Sequence, residues 1–250
     1  MNQQVRVGPW RLYGGMRLRD YPCDVFYDNP LFSELIYPNP GNSGGQKTWG
    51  RFVRQSGQAN ACFVPEQLGT QSDYDRVERE WQRDAGTTQG LDSLWGGWRD
   101  VYEDPALPWL VVCPRDQILQ YWYNISLEHW LTQVEQQLQA LGHAYEIRLK
   151  RDRKYRMHHS HSRVIHTAQQ YRGIVTAHSV SAIDAVLAGR PAVIWGQDPT
   201  LGCGTPWSEF VLTGQVRIPN LDQVQKAACT WARTTYPTLD TERAVLCVMK

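Results

Sequence analysis

At 250 residues the chain is long enough to bury a sizeable core, either as one large domain or as two lobes sharing a cleft. A formal charge of +1 excludes a basic field over the whole chain, so any nucleic-acid contact must come from a local patch. Six cysteines without a C-x-x-C pair argue against a zinc ribbon and a compact disulfide framework, and read as reduced, mostly buried thiols.

Met1 to Trp10 lack the apolar run of a signal peptide, and no stretch approaches the ~20 apolar residues of a membrane span, so a soluble intracellular protein is expected. Eleven tryptophans and twelve tyrosines suit base-stacking or carbohydrate surfaces as well as cores.

The two halves of the chain read differently. From Val5 to Asp104 the sequence is broken by Gly, Pro and Asn, with short strands expected at Asp24 to Tyr27 and Arg51 to Val53. Asn39 to Gly45 stacks turn residues with φ-permissive glycines and reads as a mobile loop. The charged stretch Asp73 to Asp84 suits a solvated helix ending before Gly86.

From Pro108 onward strands and helices alternate. Trp109 to Cys113 is a continuous apolar run stopped by Pro114, the pattern of a strand buried on both faces. Leu127, Trp130, Leu131, Val134, Leu138 and Leu141 recur at helical spacing, and Gly142 supplies a stop. A strand at Tyr145 to Leu149, a helix at Val164 to Tyr171, a strand at Gly173 to Thr176, a helix at Ser181 to Ala188 and a strand at Ala192 to Trp195 follow. Four strands separated by helices predict right-handed crossovers and a doubly wound parallel sheet. Asn220 to Gln223 resembles a capped helix start running to Ala232, and Thr238 to Val248 suits a last helix.

In a parallel sheet, ligands bind outside the carboxyl ends of the strands, where loops lead into helices. The segment Val175-Thr176-Ala177-His178-Ser179-Val180-Ser181-Ala182-Ile183-Asp184 is such a place, and Ala185 to Pro191 completes its helix and glycine stop. Its small hydroxyl residues let a diphosphate approach the backbone, and Asp184 has the acceptor chemistry for a ribose. A capping pair of Ser181 with Asp184 is the purely structural alternative.

The run from Arg148 to Arg163 holds Arg148, Lys150, Arg151, Arg153, Lys154, Arg156 and Arg163 against Asp152 alone, with His158, His159 and His161 interleaved. It suits a diphosphate, a nucleic-acid backbone or a solvated loop. No carboxylate or cysteine of metal-site spacing accompanies the histidines, so no required metal is expected.

The segment from Val175 to Pro191 resembles the donor-binding region of glycosyltransferases with the B-type, twin-Rossmann fold, especially small glycosyltransferases of tailed bacteriophages. Thr176, Ser179, Ser181, Ala185, Gly189 and Pro191 fit that pattern, while His178 replaces the usual Asn and Asp184 the usual Glu. Trp109 to Pro114 resembles the family's strand ending in Cys-Pro, and Glu146 to Arg151 its strand ending in basic residues. Ala228 to Glu242 is similar to its terminal helix pair without the usual Gln-Trp.

The resemblance implies an α/β protein with a reduced N-terminal acceptor-side lobe at residues 1–105 and a Rossmann-like donor lobe at residues 106–250. It implies transfer from a nucleotide diphosphate sugar, such as a UDP-sugar, with Arg148, Lys150, His178, Ser179, Ser181 and Asp184 binding the donor. The implied acceptor is a hydroxymethylpyrimidine in double-stranded phage DNA, which places the protein in the cytoplasm of an infected bacterium.

Asp28, following an apolar strand and facing the cleft in the resemblance, is the expected general base, with Glu34 and His178 in reserve; Asp28-Asn29-Pro30 is also an ordinary turn sequence. A glycosyltransferase of glycans or small molecules, and a non-catalytic nucleotide-sugar- or DNA-binding protein, are the alternatives.

Overall fold

The computed structural model describes residues 25–28, 49–54, 68–85, 88–91, 97–149, 164–177, 179, 181–196, 198, 200–233 and 235–237. The chain divides into two compact units, Met1–Leu94 with Lys226–Lys250, and Trp95–Gln225.

In the first unit, β1 (Val25–Asp28), β2 (Trp49–Arg54) and β8 (Thr235–Pro237) form an antiparallel sheet with β2 in the middle. Its register sets Asp28 opposite Arg51. The charged stretch expected to be helical is α1 (Gln71–Ala85), which buries Tyr74 and Val77. It is tied to the second half of α7 (Leu221–Arg233): Arg76 donates to the Ala232 carbonyl at 2.7 Å, and Asp73 stands 4.0 Å from Arg233. Gly69 is required beside α7, because a Cβ there would lie 2.0 Å from the Cys229 carbonyl oxygen.

The second unit is built on five parallel strands, β3 (Trp109–Val112), β4 (Tyr145–Arg148), β5 (Ile174–Ala177), β6 (Ala192–Trp195) and β7 (Thr205–Pro206). Their order across the sheet is β4-β3-β5-β6-β7, so the chain leaves β3 in one direction to make β4 and then returns past it to β5. With right-handed crossovers, connections running in opposite directions place their helices on opposite faces.

The side chains divide accordingly. Trp109, Val111, Cys113, Val175, Ala177 and Val193 share one core with Leu119 of α2 (Asp116–Tyr123), Trp130, Val134 and Leu138 of α3 (Leu127–Ala140), and Phe210 of α6 (Trp207–Thr213). The alternate residues Leu110, Val112, Ile174, Thr176, Ala192 and Ile194 are also buried, and α5 (Ser181–Leu187) packs on β5 and β6. Strands covered on both faces explain the unbroken apolar runs in the sequence.

Several expected boundaries are refined by local chemistry. The helix expected over Val164 to Tyr171 is a single turn, α4 (Val164–Thr167), followed by a 3-10 turn at Ala168–Gln170. The expected start of α7 is a reciprocal capping box, with the Gln223 amide donating to Asn220 Oδ1 and the Asn220 amide to Gln223 Oε1, both at 2.9 Å. The helix expected at Thr238 to Val248, the loop at Asn39 to Gly45, and Glu34 lie outside the described residues. Among the described residues, no helix is long and apolar enough to cross a membrane.

Candidate functional site at the sheet reversal

Adjacent strands whose connections depart in opposite directions leave a crevice at their carboxyl ends, because neither crossover covers the gap. Here those strands are β3 and β5, which end at Val112 and Ala177. The buried Thr176 hydroxyl donates to the Val112 carbonyl at 2.8 Å, joining the two strands at the base of the crevice. This hydroxyl is therefore part of the scaffold.

Ser179 and Ser181 form the entry to α5. The Ser179 hydroxyl accepts the Ser181 amide at 3.2 Å and donates to the Ser181 hydroxyl at 3.1 Å, while the Ala182 amide reaches the Ser179 carbonyl at 3.1 Å. The Ser179 hydroxyl thus caps the turn into α5. Asp184 is only 5 % exposed, the one charged residue on a helix that after Ser181 otherwise offers Ala, Ile, Val and Leu.

Arg148 closes β4 and is level with Val112, which is level with Thr176, which is level with Ile194. Residues level in a parallel sheet point to the same face, so Arg148 and Thr176 share the face on which α5 packs. Two interstrand steps separate them, about 10 Å.

The positive charge of Arg148 is felt at Tyr171, whose hydroxyl donates to Glu146 at 2.9 Å. Burial, then the bond and charge of Glu146, push that phenol above its ordinary value, and Arg148 pulls it down. Lys150 and His178 lie outside the described residues, and Asp28 belongs to the first unit, at the end of β1.

Two walls of the crevice were not anticipated from the sequence. On the β3 side, Asp116 opens α2 and accepts from the Leu127 amide at 2.8 Å and from Gln120 at 2.6 Å, fastening α2 to the start of α3. An acidic residue in a first helical turn after a proline was the available signal.

On the β6 side, Asp198 accepts from the Thr200 amide at 2.7 Å, the Thr200 hydroxyl and the Gly202 amide at 2.8 Å. Gly196 has φ +80°, and a Cβ on it would meet the Tyr123 hydroxyl at 2.2 Å. The closely spaced Gly196, Gly202 and Gly204 announced such a turn.

Neither buried thiol nearby is a nucleophile near neutral pH. Burial, with the charge of Glu135, pushes Cys113 up to about 11, and burial with Asp198 does the same for Cys203. Among the described residues, no three His, Cys, Asp or Glu side chains come together as metal ligands.

The parallel sheet with its reversal and its two helical faces makes the second unit a Rossmann-like α/β domain. In comparisons with known proteins, no family model matches the chain and no curated protein matches it significantly.

Proposed function

We propose that the protein is a glycosyltransferase that moves a sugar from a nucleotide diphosphate sugar to a hydroxyl acceptor, a hydroxymethylpyrimidine in double-stranded DNA. The observation that carries this reading is the crevice at the β3/β5 reversal, where Arg148 and the capped helix bearing buried Asp184 share one sheet face. Residues 1–105 are read as the acceptor-side lobe and residues 106–250 as the donor lobe of a B-type, two-lobe enzyme.

Asp184 accepts from the donor ribose. Ser181 and His178 bind the donor, and Ser179 acts indirectly, by fixing the Ser181 hydroxyl. Arg148 and Lys150 offset the charge of the diphosphate.

In the transfer step the acceptor oxygen bonds to the anomeric carbon of the sugar. The bond from that carbon to the diphosphate oxygen breaks, and the bonding pair leaves with the diphosphate. The acceptor proton passes to Asp28. Extruding the target base from the duplex costs a few kcal/mol and exposes its hydroxyl to the donor. With a net charge of only +1, attraction to DNA falls to the basic run from Arg148 to Arg163.

The test incubates the protein with several nucleotide sugars and hydroxymethylpyrimidine DNA, digests the product and weighs the nucleosides by mass spectrometry. A nucleoside heavier by one sugar residue supports the reading, and unmodified nucleosides with every donor oppose it. In the same assay Asp28→Asn, at saturating donor and acceptor, is expected to lower turnover roughly 100- to 10,000-fold while donor affinity holds. Near-wild-type turnover in the folded variant removes Asp28 as the base.

A further inference from the structure

The opposite end of α5 carries a feature that donor chemistry does not use. The helix ends in a Schellman motif: Gly189, at φ +81°, donates to the Val186 carbonyl at 3.0 Å, and the Arg190 amide donates to the Ala185 carbonyl at 2.9 Å. The residue after the glycine in this motif commonly makes an apolar contact with the helix. Here it is an arginine, only 2 % exposed.

No carboxylate among the described residues pairs with Arg190. Its guanidinium donates to the Gln169 carbonyl at 3.0 Å and reaches the Tyr102 carbonyl at 3.5 Å, while Nε is buried without an acceptor among the described residues. The Tyr102 ring lies over the guanidinium, with 4.1 Å from its carbon to the ring centroid. Tyr102 also donates through its amide to Gly189 at 3.1 Å and through its hydroxyl to Gln169 at 3.1 Å, and Gln169 donates to the Ala188 carbonyl. Tyr102 and Gln169 therefore grip Ala188, Gly189 and Arg190, the three residues that follow α5.

Burying a cation without an ion partner is a poor route to stability, since the desolvation cost is met only by carbonyls and a ring face. Such an arrangement is better suited to fixing one geometry. The helix it holds has seven residues, about 10 Å of rise, too short to hold its own position without tertiary contacts.

We propose that Arg190, clamped by Tyr102 and Gln169, is a positioning residue that sets the placement of α5, and through it that of Asp184 and Ser181 at the crevice. For the donor-binding consequence this rests on the glycosyltransferase reading; the hold on α5 does not. Residues 97–104 lead into β3, so the segment bearing Tyr102 is a handle on the candidate site from the far end of the sheet.

The test is amide hydrogen exchange in the full chain for Arg190→Met, which keeps the stem but removes the donors, and for Tyr102→Phe, which removes only the bond to Gln169. Exchange across residues 181–189 should accelerate roughly 10- to 100-fold in Arg190→Met and less in Tyr102→Phe, while α3 stays protected. Unchanged exchange in α5, or equal loosening of α3 and α5, overturns the proposal. If Arg190→Met does not fold, Tyr102→Phe decides on the same criterion.

Calorimetry with uridine diphosphate glucose supplies the second readout. The dissociation constant should rise roughly tenfold in Arg190→Met, with Arg190→Lys intermediate. Unchanged affinity beside loosened α5 overturns the link to the donor site. A wild-type protein that binds none of several nucleotide sugars overturns the donor-site link together with the function reading, and leaves the exchange result to judge the clamp.

Discussion

The two ends of the parallel sheet are built differently. At the carboxyl ends of β3 and β5 the polar groups are small: Thr176, Ser179 and Ser181 bond to nearby backbone or to one another. At the amino ends they are large and tie distant segments together. Arg172 pairs with Glu103 at 2.5 Å and meets His143 Nδ1 at 3.2 Å, and its guanidinium lies 5.8 Å from the Trp109 ring centroid. Arg190 adds Tyr102 and Gln169.

Glu103, His143, Arg172 and Arg190 precede β3, β4, β5 and β6 respectively, so this end ties together all four strand entrances. The difference teaches that the amino end holds the sheet, while the carboxyl ends of β3 and β5 offer small hydroxyls at the crevice. A parallel sheet permits this division because its loops segregate by end.

The largest effect expected from breaking this contrast is at Trp109. It is fully buried, with its ring 5.5 Å from Phe210 and 6.2 Å from His143. Trp109→Ala should destabilise the protein by about 3 to 5 kcal/mol, measured by denaturant unfolding. A loss of under about 1 kcal/mol would show that the amino end is not the holding end. At the other end, Asp184→Ala should weaken nucleotide-sugar binding by about 1 to 3 kcal/mol in calorimetry. Unchanged affinity in a folded variant removes Asp184 from the donor site.

A smaller effect concerns pH. Burial first, then the charge of Arg172, lowers His143 below the ordinary imidazole value of 6.5, and Glu103 opposes them. The folded protein therefore takes up the proton less readily than the unfolded chain. The contribution to stability is complete above 6.5 and declines as the pH falls through that value toward the lower folded one. Denaturant midpoints measured from neutral to mildly acid pH should fall more steeply for the wild type than for His143→Phe. Equal slopes would separate His143 from the amino-end cluster.

The sequence made the sheet legible where strands are covered on both faces, since Trp109 to Val112 and Ala192 to Trp195 are unbroken apolar runs. It made α3 legible because Trp130, Val134 and Leu138 fall on one helical face. It hid α6, because the seven residues after Pro206 are too short for a period to emerge. The left-handed Gly214, which accompanies the bond to the Phe210 carbonyl, was the signal there. It also hid β8, whose three residues become a strand only by pairing with β2, far away in the chain.

At the candidate site the Thr-to-Asp184 segment was legible as a strand end leading into a capped helix. The reversal beside it was not, because strand order is set by which strands pair, and no single segment encodes that. The clamp at Arg190 was hidden for the same reason. Tyr102 and Gln169 meet it from 88 and 21 residues away.

The most direct test of the account is hydrogen exchange of the wild-type chain with and without saturating uridine diphosphate glucose, or whichever nucleotide sugar binds. The account predicts added protection at Cys113 to Asp116 and at Ser179 to Ala185, with little change at Glu103 and Arg172. Protection confined to the amino ends of the strands, or none with any nucleotide sugar, would contradict it.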